Sequence, residues 1–419
     1  MADLRALTDA CVHCGFCLPA CPTYRLWGEE MDSPRGRIHL LRQVLDDGQV
    51  SASVARHVDA CLGCLACVPA CPSGVRYDEI IPRARALVES AGRRSWLDRA
   101  VRAGIFALFP YPRRLRLARG PLRLARAAGL DRPEFLARVH PSLAAAAALA
   151  PPLRPRVSLP TRVRARPGGR PGARRAVVGL LTGCVQSAFF SHVSAATARV
   201  LALEGCDVVI PRGQGCCGAL SWHAGREAQA RRLARRTVAA FDRAGVDVVV
   251  TDVAGCGSML KEYASLLGEA PRWTAMDVTE LLVSLGEPLA PRHPLPLTVA
   301  YHDACHLSHG QGVRAQPRDL LAGIPDLRLV SPVDADVCCG SAGVYNLLEP
   351  ATAAELGARK AAALRATGAD VVAAGNPGCL LQIAAALRAG DAARPAVLHT
   401  VQLLDASLAG SSSAPASVR

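Results

Sequence analysis

Two rhythms of apolar and polar residues divide this chain. Between residues 176 and 405, short apolar runs at 176–181, 207–210, 247–251, 297–301, 327–330 and 370–374 alternate with longer stretches of helical periodicity, such as 227–244 and 352–366. Strand, helix, strand, helix in that order predicts a parallel sheet covered by helices on both faces. Residues 1–90 lack this alternation, and a helix-rich segment separates two cysteine motifs there. Residues 91–175 contain no cysteine and become more basic and proline-rich toward Pro-Gly-Gly-Arg-Pro-Gly at 167–172, which reads as a linker. The Ser/Ala-rich tail, 406–419, is expected to fray.

The 176–405 region is an internal repeat. Each strand-like run ends at a cysteine-bearing loop. In the first half these hold Cys184, Cys216-Cys217-Gly218 and Cys256, and in the second Cys305, Cys338-Cys339-Gly340 and Cys379. Matching cysteines are 121 to 123 residues apart. The C-terminal edge of a parallel sheet is where open α/β folds place ligands, so four cysteines per half should converge in one crevice. The fold expected is an α+β, ferredoxin-like helical domain for two clusters over 1–90, then the basic segment 91–175. Two duplicated α/β parallel-sheet Cys-Cys-Gly domains follow at 176–290 and 291–405, packed about a pseudo-twofold axis.

Charge and cysteine content narrow the chemistry. The chain carries 49 Lys+Arg against 35 Asp+Glu, a net +14, and only Lys261 and Lys360 are lysines. A basic balance favours acidic partners, membrane surfaces or nucleic acid without choosing among them. Half the residues are apolar, which excludes a disordered chain. The opening Met-Ala-Asp-Leu-Arg has no apolar run of a secretory signal, and no stretch reaches the roughly 18 apolar residues of a membrane span. Seventeen cysteines without export point to metal ligation in a reducing compartment rather than to disulfides. A cytoplasmic protein is expected, with a peripheral position on the inner face of the cell membrane as a variant.

The first motif is Cys11-x2-Cys14-x2-Cys17-x3-Cys21-Pro22, and the second is Cys61-x2-Cys64-x2-Cys67-x3-Cys71-Pro72. Three thiolates at this interval hold three irons of one cubane, and the fourth, before the proline, ligates the other cluster. One [4Fe–4S] cluster is therefore expected on Cys11, Cys14, Cys17 and Cys71, and a second on Cys61, Cys64, Cys67 and Cys21. Zinc prefers two separated Cys-x2-Cys hooks, and the third cysteine argues against it. His13, inside the first motif, is a candidate to tune a cluster sulfur or is a surface histidine.

Cys184, Cys216, Cys217, Cys256, Cys305, Cys338, Cys339 and Cys379 are candidates for a further cluster or metal. Adjacent cysteines suit a multi-iron cluster, and the following glycine lets backbone approach closely. A redox-active thiol pair and a structural remnant are the rival readings. Cys206 has no counterpart, since Arg328 takes its place, and reads as a buried small hydrophobe. His302, His306 and His309 crowd Cys305 and are candidate zinc ligands in no recognised spacing. Gly213-Gln-Gly215-Cys-Cys-Gly218 matches a dinucleotide fingerprint, but the second half keeps only its cysteines and last glycine, so the loop is assigned to the cysteines.

Several strings resemble one family. Cys11-Val-His-Cys-Gly-Phe-Cys, Cys21-Pro-Thr-Tyr, Asp32-Ser-Pro-Arg-Gly-Arg-Ile, Cys71-Pro-Ser-Gly-Val-Arg-Tyr and Gly340-Ser-Ala-Gly-Val-Tyr look like the iron–sulfur subunit of bacterial glycolate oxidase (glycolate dehydrogenase). The resemblance spans residues 10–405. It implies glycolate oxidation to glyoxylate on a flavin partner subunit, FAD on partners only, two flavoprotein-type partners, and electrons passed through this chain to an acceptor such as quinone. The Cys-Cys-Gly domains alone also resemble heterodisulfide reductase and the anaerobic glycerol-3-phosphate dehydrogenase anchor subunit. In heterodisulfide reductase each repeat ends Cys-x-x-Cys. Here the endings are Cys256-Gly-Ser-Met259 and Cys379-Leu-Leu-Gln382, so a fifth thiol is missing twice.

Electron transfer for lactate or glycerol 3-phosphate is the near alternative, together with a heterodisulfide-reductase-like complex. A zinc protein binding nucleic acid is the remote one. It lacks interleaved aromatics on a recognition surface, so no nucleic-acid partner is expected. The basic stretch 96–130, with Phe106, Phe109 and Tyr111 among arginines, reads as a packed helix pair or as a membrane-surface segment.

Overall fold

The computed structural model describes residues 2–92, 94–169, 174–389, 394–410 and 417. Most of the Ser/Ala-rich tail and part of the Pro-Gly run of the linker lie outside them. Two mostly parallel sheets form the C-terminal region. The first has strands β1 (Arg162–Val163), β2 (Ala176–Leu181), β3 (Cys206–Val209), β4 (Val248–Thr251) and β5 (Thr274–Asp277) in the order β1-β3-β2-β4-β5. The second has β6 (Thr298–Tyr301), β7 (Arg328–Val330), β8 (Val371–Ala374) and β9 (Ala396–His399) in the order β7-β6-β8-β9. Every pairing is parallel except that of β1 with β3.

The duplication extends to register. Ala176 pairs with Cys206 in the first sheet and Thr298 with Arg328 in the second, so Cys206 and Arg328 occupy the same place. Val178, Leu180, Val250, Val299, Tyr301 and Leu398 join one apolar core fed by both sheets. The helices exchange across it. Ser191–Leu203 of the first half packs on Thr400–Leu408 of the second, and Gln316–Ala322 of the second packs on Val278–Ser284 of the first. Each half thus packs a helix that lies between its first two strands on the last helix of the other, which is the arrangement of a pseudo-twofold axis. Asp277 and His399, ending the last strand of each sheet, both cap the next helix through a capping box with Glu280 or Gln402.

Two expectations change. The described part of 1–90 is all helical, not α+β: its helices are Ala2–Asp9, Pro22–Trp27, Pro34–Asp47, Ala52–Ala60 and Tyr77–Ser90, with no strand among the described residues. The cysteine loops are too irregular to pair, and the segments between them bury one helical face, including Ile38, Leu41, Val58, Ile80 and Ala84. The linker is also not wholly separate. Its Arg162–Val163 gives β1 to the edge of the first sheet, and Arg162 pairs with Asp207 at 2.7 Å.

The basic stretch forms helices Trp96–Leu108 and Pro112–Ala127. The three aromatics suggested for a membrane surface turn inward. Phe106 is 1% exposed and packs with Ala224, Val344 and Leu347; Phe109 packs against the same cluster; Tyr111 bonds Gln229 and Arg232. Trp96, Leu97, Leu117 and Leu124 are the large apolar residues exposed on this pair. No helix among the described residues is long and apolar enough to cross a membrane.

Candidate iron–sulfur and cysteine sites

The two N-terminal motifs share one backbone. Positions three and five of each loop are left-handed: His13 and Gly15 in the first, Gly63 and Leu65 in the second. Glycine adopts this conformation freely, whereas His13 and Leu65 hold it under strain that the loop imposes. Cys21 joins Cys61, Cys64 and Cys67 around one small cavity, together with Arg37 and Tyr77. Hydrogen bonds already point at the sulfurs. The Gly63 N–H donates to Cys61 Sγ at 3.3 Å, the Tyr77 hydroxyl donates to the same sulfur at 3.7 Å, and Thr23 Oγ1 lies 3.3 Å from Cys21 Sγ. Burial, then the neighbouring sulfurs, pushes the Cys67 thiol well up, and a cation or cluster bound among the four thiols would offset both effects and take them as thiolates. Cys11, Cys17 and Cys71 border the same helical core, Cys17 close to Cys11 and Cys21, while Cys14 is exposed.

Arg37 is a site residue that sequence reasoning passed over. It is fully buried and donates to the Asp32 and His57 carbonyls, both at 2.6 Å, to Thr23 Oγ1 at 3.2 Å and to Asp32 Oδ1 at 3.1 Å. Burial opposes its charge, but Cys61, Tyr77, Cys21 and Asp32 outweigh that and hold its pKa up. It sets a fixed positive charge beside the four-cysteine cavity. The helix Pro34–Asp47 that carries it starts at Ser33, whose Oγ accepts the Gly36 N–H, and a Cβ at Gly36 would lie 2.0 Å from the Glu30 carbonyl. The Ser-Pro-Arg-Gly-Arg string is therefore a tight helix start that delivers Arg37. His13 does not reach a sulfur. Its Nε2 lies 3.0 Å from Arg42 Nη1.

In each repeated half the four cysteines form a continuous series of thiol contacts, running 184–216–217–256 and 305–338–339–379. Cys217 Sγ and Cys256 Sγ are 3.2 Å apart. The Cys184 thiol is raised by its contact with Cys216 and then by burial, and the Cys305 thiol likewise by Cys338 and burial. Gly218 and Gly340 are left-handed, at φ 95 and 89. What they approach are the long helices Glu227–Ala244 and Pro350–Arg365. A Cβ would sit 3.1 Å from the Ala230 carbonyl at Gly218 and 2.6 Å from the Ala353 carbonyl at Gly340. Cys206 is buried in the sheet core, away from these sets, as a small hydrophobe.

The three histidines near Cys305 do not converge. His306 Nδ1 lies 3.6 Å from Cys305 Sγ while its ring packs at a tilt 4.9 Å from that of His223, and His309 Nε2 bonds the Asp336 carbonyl. His302 alone joins Cys339 and Cys379.

Both halves touch the second N-terminal loop, in different ways. Cys64 packs with Cys305, Cys338 and Tyr345 of the second half, and the Tyr345 hydroxyl donates to the Ala60 carbonyl at 3.0 Å. On the first half, Arg85 donates to both the Cys61 and His223 carbonyls. The first set has a different neighbour. A cavity of ≈ 390 Å³ reaches Cys216 and is lined by Arg113, Arg116, Arg156, Arg212 and Arg236 without an acidic residue.

The matches to known proteins fit this layout. The family model described as a 4Fe-4S dicluster domain matches residues 8–75, and the cysteine-rich domain matches twice, at 178–261 and 299–384. The linker region of the glycolate oxidase iron-sulfur subunit matches residues 97–150. A probable glycolate oxidase iron-sulfur subunit of Bacillus subtilis is 37% identical over 94% of this chain and 92% of its own length. The glycolate oxidase iron-sulfur subunit of Escherichia coli is 33% identical over 97% and 95%. One chain of the fumarate reductase (CoM/CoB) of Methanothermobacter marburgensis is 34% identical over 57% of this chain and 47% of its own length.

Proposed function

This chain belongs to the family of glycolate oxidase iron–sulfur subunits, and from that premise we propose that it is the electron-transfer subunit of a glycolate dehydrogenase complex. Glycolate becomes glyoxylate on a flavoprotein partner, FAD resides on partners alone, and electrons leave through this chain to an acceptor such as quinone. The observation that carries the reading is the convergence of Cys21 with Cys61, Cys64 and Cys67 in one cavity, beside Cys305 and Cys338. We assign Cys61, Cys64, Cys67 and Cys21 to one [4Fe–4S] cluster, and Cys11, Cys14, Cys17 and Cys71 to the other. The series from Cys184 and from Cys305 are candidate sites for further clusters. Bound there, iron–sulfur clusters supply one-electron storage and transfer.

The chain's own residues prepare these places. Arg37 offsets the negative charge of a tetrathiolate set, and the Gly63 and Tyr77 donors stabilise thiolate at Cys61. Burial of Cys64, Cys67, Cys305 and Cys338 keeps water from the route between the N-terminal domain and the second half. The working division is a cluster segment 1–90, a basic segment 91–175 that lends β1 to the first sheet, and halves 176–290 and 291–405. Leu117 and Leu124, exposed among arginines, support a peripheral contact with an anionic membrane face.

Anaerobic co-purification with the flavoprotein partners tests the reading. Glycolate-dependent dye reduction is expected, with about eight irons per chain from the N-terminal sites and more if the repeats are filled. A complex that reduces dye with lactate and not with glycolate would transfer the reading to the lactate branch.

A further inference from the structure

We propose that His302 is the fifth donor of the second cysteine site, so that this site binds its cluster through thiolates and one imidazole while the first site offers thiolates alone. The inference rests on the reading that the Cys305 series holds an iron–sulfur cluster.

His302 follows β6 directly, and its backbone N–H donates to the Ala373 carbonyl at 2.9 Å, which locks it to the sheet edge. The side chain is 1% exposed, and neither Nδ1 nor Nε2 makes a hydrogen bond of ordinary geometry among the described residues, the Ala335 carbonyl being the one backbone acceptor near the ring. An imidazole buried that way forfeits the hydrogen bonds its ring nitrogens would make in water. A metal ligand accounts for one of those atoms. The geometry is in place: a His302 ring nitrogen and the sulfurs of Cys339 and Cys379 all lie within 4.8 Å of one another.

The two halves part company at this position. His302 stands three residues before Cys305, and three before Cys184 stands Leu181, an aliphatic side chain in the core. Neither half recovers the missing Cys-x-x-Cys thiol in place. Met259 is fully buried in the apolar core of the first half. Gln382 is committed elsewhere: its Oε1 accepts from Asn346 at 3.1 Å, and its Nε2 donates to the Ala353 carbonyl at 2.8 Å. In the second half the extra donor therefore comes from a different strand end. A neutral imidazole in place of an anionic thiolate leaves the centre less negative and raises its reduction potential, as it does where histidines replace cysteines on one iron of a two-iron cluster.

The test uses the full-length chain in its complex, purified anaerobically. Pulsed electron paramagnetic resonance of the reduced protein should show a ¹⁴N coupling that disappears in both His302→Ala and His302→Cys. His302→Cys should keep its iron and sulfide and shift one midpoint to a more negative value. His302→Ala should lose up to about four irons and leave the N-terminal signals intact. Absence of the coupling in the wild type, or its survival in both variants with unchanged midpoints, overturns the assignment. Cys338→Ser separates the two levels. If it leaves the iron content unchanged, the site holds no cluster and the underlying reading fails. If it removes iron while both His302 variants change nothing, only the role of His302 fails. Should His302→Ala fold poorly by circular dichroism, the His302→Cys midpoint decides alone.

Discussion

The two cysteine sites of the repeat share a scaffold and differ in what surrounds them. Both have the same strand register, the same order of four sulfurs and the same left-handed glycine. The second faces inward, with Cys305 and Cys338 against Cys64, and carries His302. The first is just as buried but borders, at Cys216, an arginine-lined cleft built partly from the segment 91–175, and has Leu181 in the histidine's place. Duplication reproduced the sulfur frame because strand ends and tight loops dictate it. The chemistry of each copy is set by residues that the frame does not constrain, so the two halves can occupy different positions in one electron path.

The closest test of the shared scaffold is its glycine. Gly340→Ala forces a Cβ to 2.6 Å from the Ala353 carbonyl in a left-handed residue, and Gly218→Ala meets Ala230 at a gentler 3.1 Å. We expect a loss of about 4 kcal/mol for the first and about 2 kcal/mol for the second in denaturant unfolding, summing backbone strain and overpacking. Equal losses would mean that the helices relax alike and the halves are mechanically the same. The contacts with the cluster loop come next. Arg85→Met removes a buried cation from two carbonyls and should cost about 3 kcal/mol, while Tyr345→Phe removes one hydrogen bond and should cost about 1 kcal/mol. The reverse order would show that the second half, not the first, depends on polar anchoring.

The same asymmetry explains what could be read from sequence. β2, β4, β6 and β8 are central strands, buried enough to appear as apolar runs. β5 reads Thr-Ala-Met-Asp with its first residue exposed, β1 is two residues long, and β9 is a four-residue Ala-Val-Leu-His ending in a histidine, so none has a legible period. Thiol spacing exposed the N-terminal sites because cubane ligation demands it. Arg37 stayed hidden, since one arginine in a chain with a net +14 charge reads as solvated until its helix is packed. Phe106, Phe109 and Tyr111 left a packed helix pair and a membrane-surface segment both readable for the opposite reason: their inward face is set by Ala224, Val344 and Gln229, far away in sequence.

A smaller effect separates the halves by pH. Glu262, near Cys256, is pushed up to about 7 chiefly by burial, against hydrogen bonds from Ser258 and Trp222. The second half has Ala385 at the corresponding position. The folded pKa exceeds the unfolded one. The carboxyl therefore costs no stability below about 4.5, and its cost grows as pH rises through about 7. Denaturant midpoints of wild type should fall more between pH 5 and pH 8 than those of Glu262→Gln. Parallel curves would mean that Glu262 reaches water and does not mark the first half.

The smallest expected effect lies at the outer rim of the second half. Arg25, on the helix Pro22–Trp27, meets Asp334 at 2.7 Å, but both side chains are more than a third exposed. Solvent screens such a pair, so Arg25→Ala should cost at most about 0.5 kcal/mol, and 1 M salt should erase the difference. This weak result would sharpen the comparison. It would show that the N-terminal domain is held to the second half by the apolar contact of Leu62 and Cys64 with Cys305, Tyr345 and Leu356 rather than by surface charge. A salt-sensitive loss above about 2 kcal/mol would instead make the ion pair the hinge of that interface, and the burial around Cys64 its consequence.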